Sequence, residues 1–472
     1  MTVTNPAAPV VAVPTVVNVK DPAYGAKGDG VADDAAAITA ALAALPAGGG
    51  DVFFPAGTYK HSTTIALTDG QRLIGGGALQ RWRSASAIGV KLVYSGVGRA
   101  IRIANTAAVN RESVEIHNIR FDGTGLVGAV DGLFIDGTAG TANNYVEGVF
   151  FNNCAFTNFP RYQVLADGLI IDAVFQRCAF NNVGAPASFD LVHVQQTGVA
   201  PKVNTQYSFN ECLFAQYGPN AWCANLQTVD ARFSGGTVTT NGQAGGNGIV
   251  TTGALTLIGT HLESIGLAGI GIRYASAAGA FIAPDYCASW AEGIQVGDPG
   301  NGAQRANGCV IAGMISGNGA ARDIHIINGG SRTGTLILGT GQSQGGPAGV
   351  TDDRAGIDGA FELTRLDINP ATFANAVVGS SAGSTVGFYG HVAVARAAAY
   401  ALAYPTASRA LAADAIVDPA ATAATSAGPY GYTQAQADAI RAAVIETHGE
   451  LNNVRGVLRQ LIADLQGNGL LQ

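Results

Sequence analysis

Three six-residue segments of the chain repeat one pattern: a phenylalanine, two polar residues, a cysteine, a variable residue and a second phenylalanine. They occupy residues 151–156, 175–180 and 209–214, and looser copies begin at residues 233, 257 and 310. Several starts lie 24 residues apart, as 151 and 175 do. Self-similarity at a period of about 20–50 residues indicates stacked structural units rather than one globular core.

A second recurring signal is a turn residue followed by a small residue and alternating apolar positions. Residues 131–136 and 167–172 are near duplicates of each other, and further copies begin at residues 190, 247, 269, 293 and 323. Each copy predicts a strand of about four or five residues that is entered through a turn. Two strands per repeat, stacked repeat on repeat, predict an all-β parallel β-helix in which equivalent residues lie about 4.8 Å apart.

Composition narrows the classes of function. The net charge of −7 argues against a partner rich in phosphate, so no nucleic-acid binding is expected. The sequence has no run of about 18 apolar residues, so no membrane insertion is expected. The first residues lack a basic region, so we expect no secretory signal.

The six cysteines fit the repeat better than they fit a disulfide framework. At least three of them occupy the inward position of the repeated segments, where cysteine behaves as a small apolar residue. We therefore expect a column of free thiols, with disulfides or a bound metal as the alternatives. The sequence carries no zinc, nucleotide or P-loop motif, so it predicts no metal site and no cofactor.

The opening of the chain predicts a short helix. Asp33 or Asp34 is the expected N-cap of a helix over residues 34–45, with Ile38 and Leu42 on its apolar face. A strand and a turn follow in the glycine-rich sequence that leads to residue 59.

This opening resembles the start of the pectate-lyase-like β-helix superfamily, which includes phage tailspikes and polysaccharide-degrading enzymes. The matching residues are 24–30, 33–34 and 52–59, and the repeats extend the resemblance to about residue 340. The resemblance implies a right-handed parallel β-helix whose open end is capped by the opening helix. It also implies that the aspartates of these runs serve turns and caps rather than catalysis.

The sequence divides into four parts: an N-terminal arm at 1–15, a β-helix domain at 16–340, a linker and small region at 341–430, and a coiled-coil helix at 431–472. Within the third part, residues 388–400 and 404–409 resemble a segment of structural proteins of actinobacterial phages. That resemblance implies a place in a virion.

The last part predicts a coiled coil. A capping box at 433–436 precedes apolar and small residues that alternate by three and four over about four heptads. The alternative is an amphipathic helix packed on its own chain, although a strict alternation makes a narrower stripe than such helices usually show. The apolar seam that these residues form does not fix the number of helices in the coiled coil. The tailspike resemblance implies a homotrimer.

Three aspartates are the candidate catalytic residues. Asp131, Asp167 and Asp190 are expected at one position in successive repeats, so stacked neighbours would lie roughly 5 Å apart, within the spacing that glycosidases use. The alternative is that each forms a turn, because aspartate before glycine is a common turn former. Further acidic candidates, each weaker, are Glu211, Asp230, Glu263 and Glu292.

Aromatic residues supply candidate substrate contacts. Trp222, Tyr217 and Tyr162 could stack on sugar rings, although aromatic side chains in a β-helix are as often part of the core. His193 and His325 lie within predicted strands and are expected to be structural or surface residues.

Together these observations favour a phage tailspike-like or tail-fibre-like protein, located in the virion and made in the host cytoplasm. Its expected partners are a bacterial cell-surface glycan and other virion proteins, and in one form of the hypothesis it also degrades the glycan as a hydrolase or lyase. The alternatives are a non-enzymatic fibre or decoration protein and a bacterial polysaccharide lyase or hydrolase. The sequence lacks the Asn-x-Asp, Gly-His-Gly and Arg-x-Lys motifs of polygalacturonase-type members.

Overall fold

The computed structural model describes residues 15–77, 89–106, 109–139, 144–183, 188–197, 204–241, 246–265, 269–276, 278–297, 309–312, 315–316, 322–327, 336–338, 350–352, 385–386, 394–395 and 434–467. The chain divides into two compact units, residues 1–369 and 370–472. Most of the predicted N-terminal arm, linker and small C-terminal region lies outside the described residues, and within the linker residues 350–352 form a strand.

The first unit is built almost entirely of short strands. In chain order the elements of both units are β1 (Val16–Asn18), β2 (Asp29–Asp33), α1 (Ala35–Ala43), β3 (Gly50–Phe54), β4 (Gly57–His61), β5 (Ile65–Leu67), β6 (Gln71–Gly75), β7 (Val90–Tyr94), β8 (Arg99–Ala104), β9 (Arg111–Glu112), β10 (Glu115–His117), β11 (Ile119–Asp122), β12 (Asp131–Gly137), β13 (Val146–Asn152), β14 (Ala155–Thr157), β15 (Val164–Gly168), β16 (Ile170–Gln176), β17 (Ala179–Asn181), β18 (Val192–Gln195), β19 (Asn204–Asn210), β20 (Leu213–Gln216), β21 (Trp222–Leu226), β22 (Val229–Ser234), β23 (Thr237–Thr240), β24 (Asn247–Thr251), β25 (Leu255–Ile258), β26 (His261–Ser264), β27 (Ile270–Tyr274), β28 (Ala280–Ala283), β29 (Tyr286–Ala288), β30 (Glu292–Val296), β31 (Cys309–Ala312), β32 (Ile315–Ser316), β33 (Arg322–Ile326), β34 (Leu336–Leu338), β35 (Val350–Asp352), β36 (Thr385–Val386), β37 (Val394–Ala395) and α2 (Gln434–Gly467).

These strands form three long parallel sheets, and the chain visits the sheets in rotation. Sheet A has the order β1-β3-β6-β10-β13-β16-β19-β22-β25-β28-β31-β34, with β9 also paired to β13. Sheet B runs β2-β4-β7-β11-β14-β17-β20-β23-β26-β29-β32, and sheet C runs β5-β8-β12-β15-β18-β21-β24-β27-β30-β33-β35. One rung is therefore a strand from each sheet, and the predicted parallel β-helix is consistent with this architecture.

The repeated phenylalanines stack into two ladders inside the coil. In sheet A, Phe151 pairs with Phe175 and Phe175 with Phe209, with ring centroids 4.7 and 5.3 Å apart. In sheet B, the rings of Phe156 and Phe180 stack at 5.8 Å. All of these rings are buried, so the register read from the repeats is confirmed.

A sharp corner joins sheet A to sheet B in each central rung. One residue there takes a left-handed backbone conformation, and this residue is Asn118, Asn153, Arg177, Glu211, Gly235 or Gly259 in successive rungs. Asn153 Nδ2 donates a hydrogen bond of 2.8 Å to Asn118 Oδ1, which links two rungs at the corner. Asparagine and glycine tolerate this conformation best, so their abundance in the sequence has a local cause.

The residue after this corner points into the coil. Cys154, Cys178 and Cys212 occupy that position, and the Cys178 thiol donates to the Phe151 carbonyl oxygen at 3.4 Å. All six cysteines are buried and none of them forms a disulfide, so the prediction of free thiols is confirmed. Burial raises the pKa of Cys154 and Cys178 well above its ordinary value, which keeps both thiols protonated.

The predicted opening helix is present as α1, which begins one residue later and ends two residues earlier than expected. It buries Ile38 and Leu42. The Asp34 carboxylate accepts hydrogen bonds from the backbone of Lys27 and Gly28 at 2.6 and 3.0 Å. This aspartate therefore holds the turn before the helix, and the expectation that α1 caps the coil stays a prediction.

The second unit contains β36, β37 and the long helix α2. Several apolar residues of α2 are exposed in the single chain, namely Ile440, Val444, Leu451, Val454, Val457 and Leu458. The helix that the heptads predicted is present, and its assembly into a coiled coil stays a prediction. Among the described residues no helix combines the length and apolarity needed to cross a membrane.

Candidate functional site

The starts of the sheet C strands form one column along the coil, which we name the sheet C column. It consists of Asp131, Tyr162, Asp190, Trp222, Asn247, Ile270 and Glu292. Direct pairs join Trp222 to Asn247 and Ile270 to Glu292. Leu133 pairs with Val164, and Val164 pairs with Val192. Asp131, Tyr162 and Asp190 each precede one of these residues by two positions, so they also lie at equivalent positions. Four of the six candidate site residues predicted from the sequence thus fall on one line: Asp131, Tyr162, Asp190 and Trp222.

Asp167 is not part of this column, and the expected stacking of three aspartates is wrong. Asp167 pairs with Asp136 on one side and Gln195 on the other, at the far end of the sheet C strands. The two Asp-Gly pairs look alike in sequence, but Asp131 opens β12 whereas Asp167 nearly closes β15. The segment read as one strand from residue 167 to 172 in fact crosses from sheet C into sheet A.

Tyr217 also lies away from the column. It follows β20, where the chain leaves sheet B, and its backbone N–H donates to Asn182 Oδ1 at 2.8 Å. Its side chain is half-buried. A role in substrate contact stays a prediction for this residue.

Asp131 is a fully buried carboxylate held by arginine. Arg161 Nε donates to Asp131 Oδ1 at 2.6 Å, and Arg161 Nη2 donates to Oδ2. Arg99 Nε lies 3.7 Å from the same carboxylate. The Asp131 hydrogen bond raises the pKa of Arg161 above its ordinary value. Arg161 therefore stays charged, and its bonds to Asp131 fix the segment that leads into β15.

A hydrogen-bonded relay connects Asp190 with Asp167. His193 Nδ1 lies 2.8 Å from Asp190 Oδ2, and His193 Nε2 lies 3.1 Å from Gln195 Oε1. Gln195 Nε2 donates to Asp167 Oδ2 at 2.8 Å. An ionised carboxylate only accepts, so the Gln195 amide must present its oxygen to His193. Each His193 ring nitrogen therefore faces an oxygen atom.

The remaining lone pairs of these two carboxylates are also used. Asp190 accepts hydrogen bonds from Trp222 N at 2.8 Å and from Asn225 Nδ2 at 2.9 Å. Asp167 accepts from the backbone and hydroxyl of Thr197 at 2.9 and 2.8 Å. Asp190 therefore links the segment before β18 to β21.

Tyr162 lies on top of the relay. Its ring stacks on His193 at 4.8 Å with an interplanar angle of 20°, and Phe189 meets its edge at 5.7 Å. Burial, followed by the negative charge of Asp190, raises the pKa of Tyr162. Its phenol is therefore neutral at ordinary pH.

Beyond Trp222 the column forms the floor of a groove of about 410 Å³. The residues that line it are Asn220, Trp222, Asn247, Gly269, Ile270, Arg273, Ala291 and Glu292. The guanidinium of Arg273 lies 5.3 Å from the centroid of the Trp222 ring. This groove combines an aromatic surface with amide and charged groups.

The acidic end of the groove is bonded to its neighbours. Glu292 Oε2 lies 2.9 Å from His325 Nδ1 and accepts from Gln295 Nε2 at 2.7 Å. Gln295 Oε1 in turn accepts from Arg273 Nε. Sequence reasoning ranked Glu292 low and passed over Arg273 and Asn247 as site residues, although all three lie in sheet C strands that the second recurring signal predicted.

A larger concavity of about 690 Å³ lies elsewhere, on the outer face of sheet B. It is lined by Glu211, Cys212, Leu213, Gly236, Thr237, Thr239, His261 and Glu263. It contains none of the six nominated residues. Size alone therefore does not identify the site, and the groove on sheet C has the denser set of aromatic and polar groups. In the described part of the chain no three His, Cys, Asp or Glu side chains are placed to hold a metal ion.

A comparison with models of known protein families is consistent with the stacked parallel sheets. Residues 16–218 match the family model described as rhamnogalacturonase A/epimerase, pectate lyase-like. These residues form a pectate-lyase-like domain. The matched range covers the first part of the sheet C column, from Asp131 to Asp190.

Short stretches of the chain are similar to curated enzymes of Azotobacter vinelandii. Mannuronan C5-epimerase AlgE1 is 49% identical over 72 residues, which are 14% of this chain and 5% of that enzyme. AlgE4 is 50% identical over 68 residues, or 13% of this chain and 12% of the enzyme, and alginate lyase 7 is 52% identical over 58 residues, or 12% and 6%. The chain thus spans only a small part of the length of each relative.

Several solved structures are similar to this chain at low sequence identity. The AlgE4 A-module of Azotobacter vinelandii has a TM-score of 0.49 and 18% identity, covering 74% of this chain and 100% of that one. The Dettilon tailspike protein has a TM-score of 0.44 and 12% identity over 69% and 62% of the two chains. ORF18 of Geobacillus virus E2 has a TM-score of 0.39 and 16% identity over 72% and 60%.

Proposed function

We propose that this protein is a tailspike-like component of a phage virion that binds a bacterial surface polysaccharide along the groove on sheet C. The observation that carries the proposal is the groove floor, where Trp222 is followed by Asn247, Ile270 and Glu292 on a straight line. Stacked strands hold these groups at a repeat of about 4.8 Å. A regular row of this kind suits an extended repeating polymer better than a compact small molecule.

The chemistry of the groove supports a sugar ligand. An indole ring offers apolar area for the C–H face of a sugar, and amide and carboxylate groups accept or donate hydrogen bonds to its hydroxyls. The match to a pectate-lyase-like family and the short similarity to mannuronan epimerases also favour a glycan, as an inference from what those proteins act on.

Adhesion without cleavage is the second candidate function, and one observation favours it. The nominated acids Asp131, Asp167 and Asp190 are bonded to Arg161, Thr197 and His193, respectively, rather than held ready beside the groove. A general acid or base must reach the bond that it protonates or the proton that it removes. Catalysis by these residues stays a proposal that depends on finding cleavage.

The test is binding to purified envelope polysaccharides, scored together with release of reducing ends. We expect Trp222→Ala to weaken binding about tenfold or more, because a buried aromatic contact is a typical binding hot spot. Tyr286→Ala, on the outer face of sheet B, is the matched control and should bind normally. Loss of binding in Tyr286→Ala but not in Trp222→Ala would move the site to sheet B. Absence of reducing ends with normal binding would establish adhesion alone.

We also propose that α2 joins three chains through its exposed apolar seam, as the tailspike resemblance implies. Replacing both Leu451 and Val454 by aspartate should abolish the oligomer, because charges at seam positions cannot be buried between helices. The matched control replaces Asn452 and Asn453, which lie outside the seam, by aspartate and should leave the oligomer intact. Light scattering measures both, and a trimer that survives the seam changes would contradict the proposal.

A further inference from the structure

We infer that the groove on sheet C takes a polysaccharide of uncharged sugars rather than a polyuronate. The inference rests on the proposed function and adds the chemical class of the ligand. It follows from the charged groups of the groove: the arginine is bonded to protein groups, and the carboxylates lie along the line that a polymer would follow.

The basic side chains near the groove are already bonded to protein groups. Arg273 donates to Gln295 and lies over the Trp222 ring, and His193 bridges Asp190 and Gln195. His325 is bonded to Glu292 at 2.9 Å. A polyuronate would need cations that face its carboxylates at regular intervals, preferably as bidentate arginines. Within the described lining of the groove, Arg273 is the one arginine or lysine.

The negative charges lie along the line that the polymer would follow. Asp190 and Glu292 bracket the floor formed by Trp222, Asn247 and Ile270. A bound polyuronate that spans this floor would place one of its own carboxylates near each end, where like charges repel in a site of reduced dielectric. Uncharged sugars avoid this repulsion, and their hydroxyls can donate to the same carboxylates.

The aromatic surface of the groove also favours a ligand of uncharged sugars. Trp222 is half-buried at the centre of the floor, and the amides of Asn220 and Asn247 lie beside it in the groove lining. Apolar stacking and neutral hydrogen bonds depend little on ionic strength, whereas binding of a polyanion by a cationic surface falls with added salt. The ligand class therefore determines how salt affects affinity.

The experiment uses the full chain and measures affinity at about 50 and 500 mM salt, a range over which screening of exposed charges changes strongly. The probes are dextran, mannan and galactan as neutral polymers, polygalacturonate and alginate as polyuronates, and the envelope polysaccharide fractions of the test above before and after chemical reduction of their carboxyl groups. We expect binding to at least one uncharged polymer or reduced fraction, changing less than about threefold with salt and lost in Trp222→Ala.

Glu292→Gln supplies an independent readout. It removes one bracketing charge with little change of shape, so affinity for polygalacturonate should rise several-fold relative to affinity for the neutral ligand. Circular dichroism of the variant confirms that it is folded. If Glu292→Gln leaves polyuronate binding unchanged, the proposed repulsion is absent and the inference fails.

The outcomes separate the inference from the function on which it rests. Binding that is lost on carboxyl reduction, or polyuronate binding that is tighter than any neutral binding and weakens with salt, would overturn the inference and leave glycan binding standing. Absence of binding to every polymer and every fraction would overturn both.

Discussion

Phe175→Ala should lower the free energy of unfolding by about 3–5 kcal/mol, the usual cost of emptying a buried phenylalanine site. Phe175 is fully buried, and its ring stacks on Phe151 at 4.7 Å and on Phe209 at 5.3 Å. The ring also meets Phe180 of the neighbouring ladder edge-on at 5.5 Å. Strand pairing holds both neighbouring rungs in place, so the cavity cannot easily collapse.

Denaturant unfolding followed by circular dichroism measures this loss. Phe281→Ala is the matched control, because Phe281 lies on the outer face of sheet A and is 39% exposed. Its loss should stay below about 1 kcal/mol. A similarly small loss for Phe175→Ala would mean that the ladder register is incorrect.

Asp131→Asn should cost about 2–4 kcal/mol, because it leaves the Arg161 guanidinium without its anion in a largely buried site. The Asp131 side chain is fully buried and that of Arg161 is 25% exposed, so solvent offsets part of the penalty. The exposed Asp230, changed to asparagine, is the control and should stay within about 0.5 kcal/mol of the parent.

A double-mutant cycle with Arg161→Gln tests the source of this cost. The two changes should be strongly non-additive, because each removes the same ion pair. If the protein cleaves its ligand, the comparison also addresses catalysis. Full thermal stability combined with a loss of cleavage in Asp131→Asn would assign this carboxylate to the chemistry rather than to the fold.

The repeats predicted the ladder because a stack imposes one requirement on every rung. Phe151, Phe175 and Phe209 must all fill the same interior position, so their spacing in sequence reports the length of a turn of the coil. The buried Cys154 and Cys178 follow from the same rule. Such interior positions can be predicted from the sequence because packing fixes the residue type.

The sequence could not show where the strands of sheet C begin and end. Asp131-Gly and Asp167-Gly are chemically equivalent pairs, and only the pairing of Asp136 with Asp167 shows that they sit at opposite strand ends. A β-strand pattern of alternating residues is satisfied on either side of a tight turn, so periodicity does not locate the turn. This ambiguity led to the incorrect expectation of three stacked aspartates.

The groove was predictable only in part for a related reason. Trp222 and Asp190 were visible as an aromatic and an acid near strand starts, but the bonds that join Asp190 to His193 and Glu292 to His325 depend on neighbouring rungs. Residues 28 to 33 positions apart in sequence, such as Asp167 and Gln195 or Glu292 and His325, become partners because each coil returns the chain to the same sheet.

The column of buried thiols has a consequence for the surroundings in which the protein can exist. None of the six cysteines forms a disulfide, and burial raises the pKa of Cys309 to about 12, which disfavours the reactive thiolate. The stacked coil is therefore held by noncovalent contacts, with no disulfide that a reductant could open. Transfer between a reducing and an oxidising environment should leave its stability unchanged.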